Sequence, residues 1–142
     1  MKTAFVFPSK AVEDTDRLFK AFTDIEYDSI FLCSENLPKI LKKNIDLDMS
    51  ILEDYDLVCP VGAEALKYVC GLTGITKYNG ILTNEKYVPL LNPALLEFKP
   101  QYRDDIQAAF TKVIHPVLEG TRSIEAISKD YRYNTDNVDF QN

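Results

Sequence analysis

Short apolar runs alternate with amphipathic stretches along the first 120 residues of this chain. Runs at residues 3–7, 29–33 and 56–61 have the length and composition of buried strands, and a further run at residues 86–91 predicts a fourth strand. Apolar positions at helical spacing predict helices at residues 15–22, 37–43 and 63–70, and a longer helix after Pro100. This alternation predicts an α/β fold, with a parallel sheet covered on both faces.

The helix after Pro100 carries the clearest apolar stripe. Its members recur at intervals of three and four residues: Ile106, Ala109, Phe110, Val113 and Ile114. His115 and Pro116 follow the stripe. We interpret this dipeptide as a helix-terminal histidine before a helix-stopping proline, not as a catalytic pair at a strand end.

Polar residues and turn formers follow each predicted strand, and ligands of open parallel sheets bind at the carboxyl ends of the strands. The candidate ligand-binding or DNA-binding residues at these ends are Pro8, Ser9, Lys10, Glu35, Asn36, Gly62, Asn92 and Pro93. Some of these residues have a simpler alternative. Gly62 can serve a sharp turn alone, Asn92 can cap a turn, and Glu35 can belong to a solvated loop.

Composition limits the class of protein. The chain has 142 residues, of which 46% are hydrophobic and 27% are charged, as in an ordinary globular domain. We predict one domain at residues 1–120 and a polar tail or linker at residues 121–142. No apolar run approaches the roughly 18 residues of a membrane span, and the first residues lack a signal-peptide pattern. These features predict a cytoplasmic protein that does not enter a membrane.

Charge argues against strong autonomous DNA binding. The net charge is −6, with acidic side chains concentrated between Glu13 and Asp56. Lys67, Lys99 and Arg103 surround the last predicted strand in sequence and are the candidates for local phosphate contacts. The cysteines form no paired motif and accompany a single histidine, so we predict neither a metal nor a cofactor.

One stretch of the chain resembles a known superfamily. The residues that carry the resemblance are Leu57-Val-Cys-Pro-Val-Gly62-Ala-Glu-Ala-Leu-Lys67, then Asn79-Gly80, then Pro89-Leu-Leu-Asn92-Pro93. Their order and spacing resemble the second half of uracil-DNA glycosylase superfamily domains of the four-stranded bacterial and archaeal type. Such domains also occur at the N-terminus of some phage A-type DNA polymerases. The resemblance covers residues 57–110 and implies a three-layer α/β/α fold with a central four-stranded parallel sheet.

The departures from that superfamily concern its chemistry. The resemblance implies an acid or asparagine after the first strand to position water, but the corresponding loop has none before Glu13. It also implies a His-Pro dipeptide after the last strand, where this chain has Asn92-Pro93. Base excision needs a held water and a hydrogen-bond donor near the departing base. The resemblance therefore implies a glycosylase-like domain that lacks excision activity.

Three functions remain open on the sequence. The first is a non-catalytic module of a phage-type DNA polymerase or replication protein. Its partners would be replication proteins or the rest of the polymerase, with single-stranded or primer–template DNA as a weak ligand. The second is an active divergent glycosylase in which Asn92 assists electrophilically and Glu13 or Asp14 orients water. The third is a nucleotide-binding α/β domain of unrelated descent.

Overall fold

The fold is built on a parallel sheet of three strands. The computed structural model describes residues 2–9, 15–37, 39–83 and 86–120. Strands β1 (Thr3–Ser9), β2 (Asp28–Cys33) and β3 (Leu57–Pro60) lie in the order β2-β1-β3. In the central strand, Phe5 pairs with Ser29 of β2 and with Cys59 of β3. The chain is thus a mixed α/β protein, as the alternating pattern predicted.

Residues 86–90 run beside β3 in the parallel direction. Val88 N–H donates to the Val58 carbonyl at 2.9 Å, and Leu90 N–H donates to the Pro60 carbonyl at 2.8 Å. These contacts form isolated parallel bridges rather than a regular strand. Pro60 explains the interruption. A residue with an N–H at this position would donate to the Val88 carbonyl, but proline has no N–H, so this bond of the ladder is missing. Of the four predicted strands, three are regular.

Helical turns connect these segments. The α-helices are α1 (Thr15–Phe19), α2 (Gly62–Ala65), α3 (Ile75–Tyr78), α4 (Arg103–Ala109) and α5 (His115–Leu118). The 3₁₀ turns span Lys42–Asn44, Met49–Asp54, Pro93–Glu97 and Pro100–Tyr102, and π-helical turns span Leu66–Cys70 and Phe110–Ile114.

The predicted helix at residues 37–43 is wrong. Residues 39–41 are not helical, and a single 3₁₀ turn begins only at Lys42. The backbone N–H of Ile40 donates to the Glu64 carboxylate at 2.8 Å. A long-range bond therefore holds this segment against the start of α2, where local apolar spacing had suggested a helix.

The final helix continues through Pro116 to Leu118, so the prediction that this proline stops the helix is wrong. Just before it, His115 N–H donates to the Phe110 carbonyl, five residues back. This π-helical turn changes the hydrogen-bond register of the helix just before Pro116. Proline has no backbone N–H to donate, so the helix can continue through it without breaking a bond at that position. The His115 Nε2 atom lies 2.7 Å from the Thr23 hydroxyl, which ties the helix to the segment before β2.

Apolar clusters cover both faces of the sheet. Alternate residues of β1 point in opposite directions, so Phe5 and Phe7 join one cluster while Ala4 and Val6 join the other. The first cluster packs under α1 and the final helix. It contains every member of the predicted stripe, each at most 3% exposed. The second cluster takes side chains from the connection between β2 and β3 and from α2.

The three cysteines are unpaired thiols. Cys33 and Cys59 are buried and Cys70 is half-buried, and burial raises the pKa of both Cys59 and Cys70. Within the described ranges, no three metal-ligating side chains come together, and no helix has the length and apolar character to cross a bilayer. The predicted tail, residues 121–142, lies outside the described part of the chain.

Candidate functional site

The carboxyl ends of the parallel segments meet at one edge of the sheet. Ser9 pairs with Cys33 at the ends of β1 and β2, and Val61 bridges Leu90 just beyond the end of β3. The described strand-end candidates lie at the ends of these segments along one edge, as expected for a parallel sheet: Pro8, Ser9, Glu35, Asn36, Gly62, Asn92 and Pro93. Lys10, Glu13 and Asp14 lie outside the described residues.

The end of β1 is tied to the loop after β2. Ser9 is only 1% exposed, and its hydroxyl donates to the Leu37 carbonyl at 2.8 Å. Pro8 is half-buried within β1, so the strand extends through it. The Ser9 side chain thus joins two backbone segments at this edge, a role that its sequence position alone did not reveal.

The loop after β2 exposes Glu35 and Asn36 to solvent. It is fixed from one side by Asp46, whose carboxylate accepts hydrogen bonds from the Ser34 hydroxyl and the Ser34 backbone N–H. These bonds lower the pKa of Asp46, since they stabilise its charged form. Sequence reasoning missed Asp46. Its bond partner is twelve residues away, so no local spacing pointed to it.

Gly62 and Asn92 lie close together at the edge, beyond the end of β3 and of the segment beside it. Gly62 has a φ of 89°, a conformation that favours glycine, and a Cβ placed on it would lie 4.0 Å from the Asn92 Cβ. Its N–H donates to the Leu90 carbonyl at 2.9 Å. Gly62 therefore lets the chain turn into α2 close beside Asn92, while its own N–H is already used within the protein.

Asn92 caps the 3₁₀ turn Pro93–Glu97. Its Oδ1 atom accepts from Ala94 N–H at 2.9 Å, and Pro93 is buried behind it. This bond fixes which atom of the amide is the oxygen and which is the nitrogen, because only the oxygen can accept from a backbone N–H. The Asn92 Nδ2 atom has no hydrogen-bond partner among the described residues. Asn92 can thus offer one neutral donor at the sheet edge.

Glu64 is a residue of this edge that sequence reasoning missed. It lies in the first turn of α2, half-buried, with Oε2 accepting the Ile40 N–H bond described above. The only local signal was its position two residues after the strand-end glycine, which places a carboxylate near the carboxyl edge. In the structure this carboxylate positions a backbone segment.

The predicted basic residues are exposed but do not form one group. Lys67 lies on the π-helical turn after α2, with its Nζ 5.4 Å from the Tyr68 ring centre. Arg103 places its guanidinium 5.3 Å from the Phe22 ring centre. Lys99 is exposed just before the turn that leads into α4. Arg103 and the predicted strand-end residue Pro93 line the same cleft.

That cleft has a volume of about 280 Å³ and lies between α1 and the turn after Asn92. Its lining residues are Leu18, Ala21, Phe22, Pro93, Leu96, Glu97 and Arg103. A larger cleft of about 860 Å³ lies at the opposite end of the strands, where Thr3 begins β1 and Asp28 begins β2. Sequence reasoning placed no candidate at that end.

The carboxyl edge is built mainly from groups that serve the fold. Ser9, Glu64 and the Asn92 oxygen each bond a backbone group of the protein itself. The Asn92 amide nitrogen has no hydrogen-bond partner within the described part of the chain. Such a site can donate a hydrogen bond to a carbonyl or a phosphate, but a neutral amide cannot transfer a proton as an acid or base.

Comparison with known proteins gives one informative similarity. No protein-family model matches the chain. The chain is 29% identical over 122 residues to a DNA polymerase of Bacillus phage SP01. The matched region covers 78% of this chain and 13% of that polymerase, so the chain spans only a small part of the relative's length.

Proposed function

We propose that this chain is a uracil-DNA-glycosylase-like domain without excision activity, serving a phage-type DNA polymerase or a related replication protein. In this role it docks to protein and contacts DNA weakly. The observation that carries the proposal is the similarity to a short part of a phage DNA polymerase. A match to 13% of a large protein is what an accessory domain of that protein would give.

The sheet supports the glycosylase-like part of the proposal. Residues 86–90 bond to the free side of β3 in the parallel direction and would be the fourth strand of the superfamily's sheet. Apolar clusters on both faces fit a three-layer α/β/α arrangement. In this proposal residues 1–120 are the domain and residues 121–142 are a polar tail or linker.

The carboxyl edge supports the absence of excision. Asn92 stands where the superfamily has its histidine, and its oxygen caps the following turn. Ser9, at the end of the first strand, donates to the Leu37 carbonyl. The predicted contact residues Pro8, Ser9, Lys10, Glu35, Asn36, Gly62, Lys67, Asn92, Pro93, Lys99 and Arg103 would then touch DNA or protein without performing chemistry on a base.

An excision assay tests the inactive part of the proposal. The chain is incubated with uracil-containing single-stranded and double-stranded DNA, and abasic sites are counted after alkaline cleavage. We expect no sites above a protein-free control. Abasic sites that disappear in Asn92→Ala but persist in Asn44→Ala would contradict the proposal. Asn44 is a suitable control because its amide oxygen also accepts from a nearby backbone N–H, that of Leu41, in a different 3₁₀ turn from the one that Asn92 caps.

The second candidate, an active divergent glycosylase, is favoured by one observation. The Asn92 Nδ2 atom is unbonded among the described residues and could donate to a departing base. The same assay decides between the two functions. The nucleotide-binding alternative predicts thermal stabilisation by free nucleotides with no response to DNA.

A chimaera tests the polymerase part. The matching segment of the Bacillus phage SP01 polymerase is replaced by this chain, and primer extension is compared with that of a polymerase carrying an unrelated α/β domain of equal length. We expect extension by the first chimaera to exceed that by the second. Equal activity of the two would contradict a specific role for the domain.

A further inference from the structure

The most exposed large apolar side chain among the described residues directly follows, in the chain, Glu97 of the cleft beside Asn92. Phe98 is 80% exposed, the highest value among the large apolar side chains described. Its backbone is well fixed, since its N–H donates to the Leu95 carbonyl at 3.0 Å and ends the 3₁₀ turn. An aromatic ring held in water on an ordered turn is typical of a side chain that a partner buries.

Further apolar surface lines the cleft itself, which includes Glu97, the residue before Phe98. Leu18 is 42% exposed, Ala21 is exposed, and Leu96 is half-buried. The Arg103 guanidinium lies over the Phe22 ring at the same cleft. We call Leu18, Ala21, Leu96, Phe98 and Arg103 the docking face. Aromatic, aliphatic and arginine side chains with a polar surround are the usual composition of a protein interface.

Charge around the docking face favours a protein over a nucleic acid. Lys99 and Arg103 are exposed there, but so are Glu97, Asp104 and Asp105. The chain as a whole carries a net charge of −6. Affinity for DNA comes mainly from neutralising phosphates, which a surface of mixed sign does poorly. A protein surface with an apolar pocket for a ring and a carboxylate for Arg103 is the complementary partner.

The similarity to the phage polymerase suggests the identity of this partner protein. The matching part makes up 13% of that polymerase, so most of that chain lies outside the matched region. A domain within such a chain meets the remainder through an interface of roughly 600–1,500 Å². An exposed aromatic anchor next to an apolar cleft supplies the centre of such an interface.

We infer that the docking face packs against the body of a DNA polymerase, with the Phe98 ring buried in an apolar pocket of that body. This inference rests on the proposed function and adds to it the surface and the anchoring residue. Arg103 pairs with a carboxylate at the rim. The carboxyl edge around Asn92 then lies beside the interface rather than within it.

The experiment uses the whole chimaeric polymerase described above, with a protease site at the junction after this domain. Cleavage at the junction reports the undocked fraction. We expect Phe98→Asp to accelerate cleavage roughly tenfold or more, since losing a central anchor weakens an interface strongly. Ile51→Asp is the matched control and should change little. Ile51 is 38% exposed and belongs to the turn before β3, between Ser50 and Leu52.

The outcomes separate this inference from the proposed function. If the unaltered chimaera fails to extend a primer better than the unrelated-domain control, the proposed function fails. If it extends well but Phe98→Asp and Ile51→Asp are cleaved at the unaltered rate, only the docking face is wrong. Circular dichroism of each variant in the isolated chain verifies that the substitution leaves the fold intact.

A spectroscopic arm tests the nucleic-acid alternative. The chain contains no tryptophan, so Phe98→Trp introduces a single fluorophore at the docking face, and Ile51→Trp places one elsewhere. Stacking of bases on an indole quenches its emission. We expect a single-stranded oligonucleotide to leave both variants unchanged at 150 mM salt. Saturable quenching confined to Phe98→Trp would overturn the inference and assign the face to single-stranded nucleic acid.

Discussion

Gly80 lies directly against Ala109 of α4. A Cβ placed on Gly80 would lie 3.0 Å from the Ala109 Cβ and 3.2 Å from the Ala109 Cα. The N–H of Gly80 also donates to the Pro89 carbonyl at 2.8 Å. The turn after α3 is therefore held between α4 and the segment that runs beside β3. This segment leads to Asn92 at the carboxyl edge.

Gly80→Ala should destabilise the domain. Gly80 has a φ of 76°, so alanine at this position would be destabilised both by the left-handed backbone and by the clash with Ala109. We expect the free energy of unfolding in urea to fall by about 2–4 kcal/mol. Gly71→Ala is the control, because Gly71 has a φ of 71° with nothing within 4 Å of an added Cβ. It should cost only about 1–2 kcal/mol, and equal losses for the two variants would contradict the close packing at Ala109.

Asn79→Ala should loosen the last extended segment. The Asn79 Oδ1 atom accepts from Leu91 N–H at 2.9 Å, and Nδ2 donates to the Asp105 carbonyl at 3.0 Å. Removing the amide leaves the part-buried Leu91 N–H without its partner, at a cost of about 1–3 kcal/mol. Hydrogen exchange at Leu91 should accelerate accordingly. Asn44→Ala removes an exposed local bond and should cost less; an unchanged Leu91 exchange rate in Asn79→Ala would rule out the bridge.

Asn92→Ala should destabilise the turn that follows it. The lost cap bond to Ala94 N–H is expected to cost about 1 kcal/mol of unfolding free energy. Asn92→Asp keeps an acceptor oxygen and should retain most of the stability. Thermal denaturation of the two variants measures the difference. If both lose the same amount, the cap is not the source of the Asn92 contribution.

Stability should depend on Asp46 at acidic pH. Hydrogen bonds from Ser34 hold the pKa of the folded Asp46 below its ordinary value of 3.8. A lowered carboxyl pKa stabilises the fold above the unfolded value, and this contribution is lost as pH falls from about 4 through the folded pKa. In Ser34→Ala, NMR titration should find the Asp46 pKa raised towards 3.8. A pKa unchanged by this substitution would contradict the interaction.

Periodicity alone was sufficient for the elements that lie in the core. The stripe at Ile106 and Phe110 is buried against the sheet, and β1 lies where its apolar run predicted. The placement of Pro60 at the end of β3 also follows from its chemistry, since a proline cannot donate to a ladder. These features depend on residues within a few positions of one another.

Two local interpretations failed, one because of a long-range hydrogen bond and one because of a change in helical hydrogen-bond register. The helix predicted at residues 37–43 is absent at residues 39–41, where Ile40 bonds to Glu64, 24 positions away in the chain. The stop predicted at Pro116 is avoided by the π-helical turn before it, while Thr23 bonds His115 from the far end of the chain. Neither hydrogen bond can be recognised from the local spacing of apolar residues in the sequence.

The sequence by itself determined that this protein has a parallel α/β core and that polar residues gather at its carboxyl edge. Apolar periodicity and proline chemistry act locally, so they can be followed along the chain. Only the tertiary structure decided what those polar groups do. It shows that Ser9, Glu64 and Asn92 each form a side-chain hydrogen bond to a backbone group of the protein. It also decided that Phe98 stays in water, since the exposure of a side chain depends on what packs against it from elsewhere.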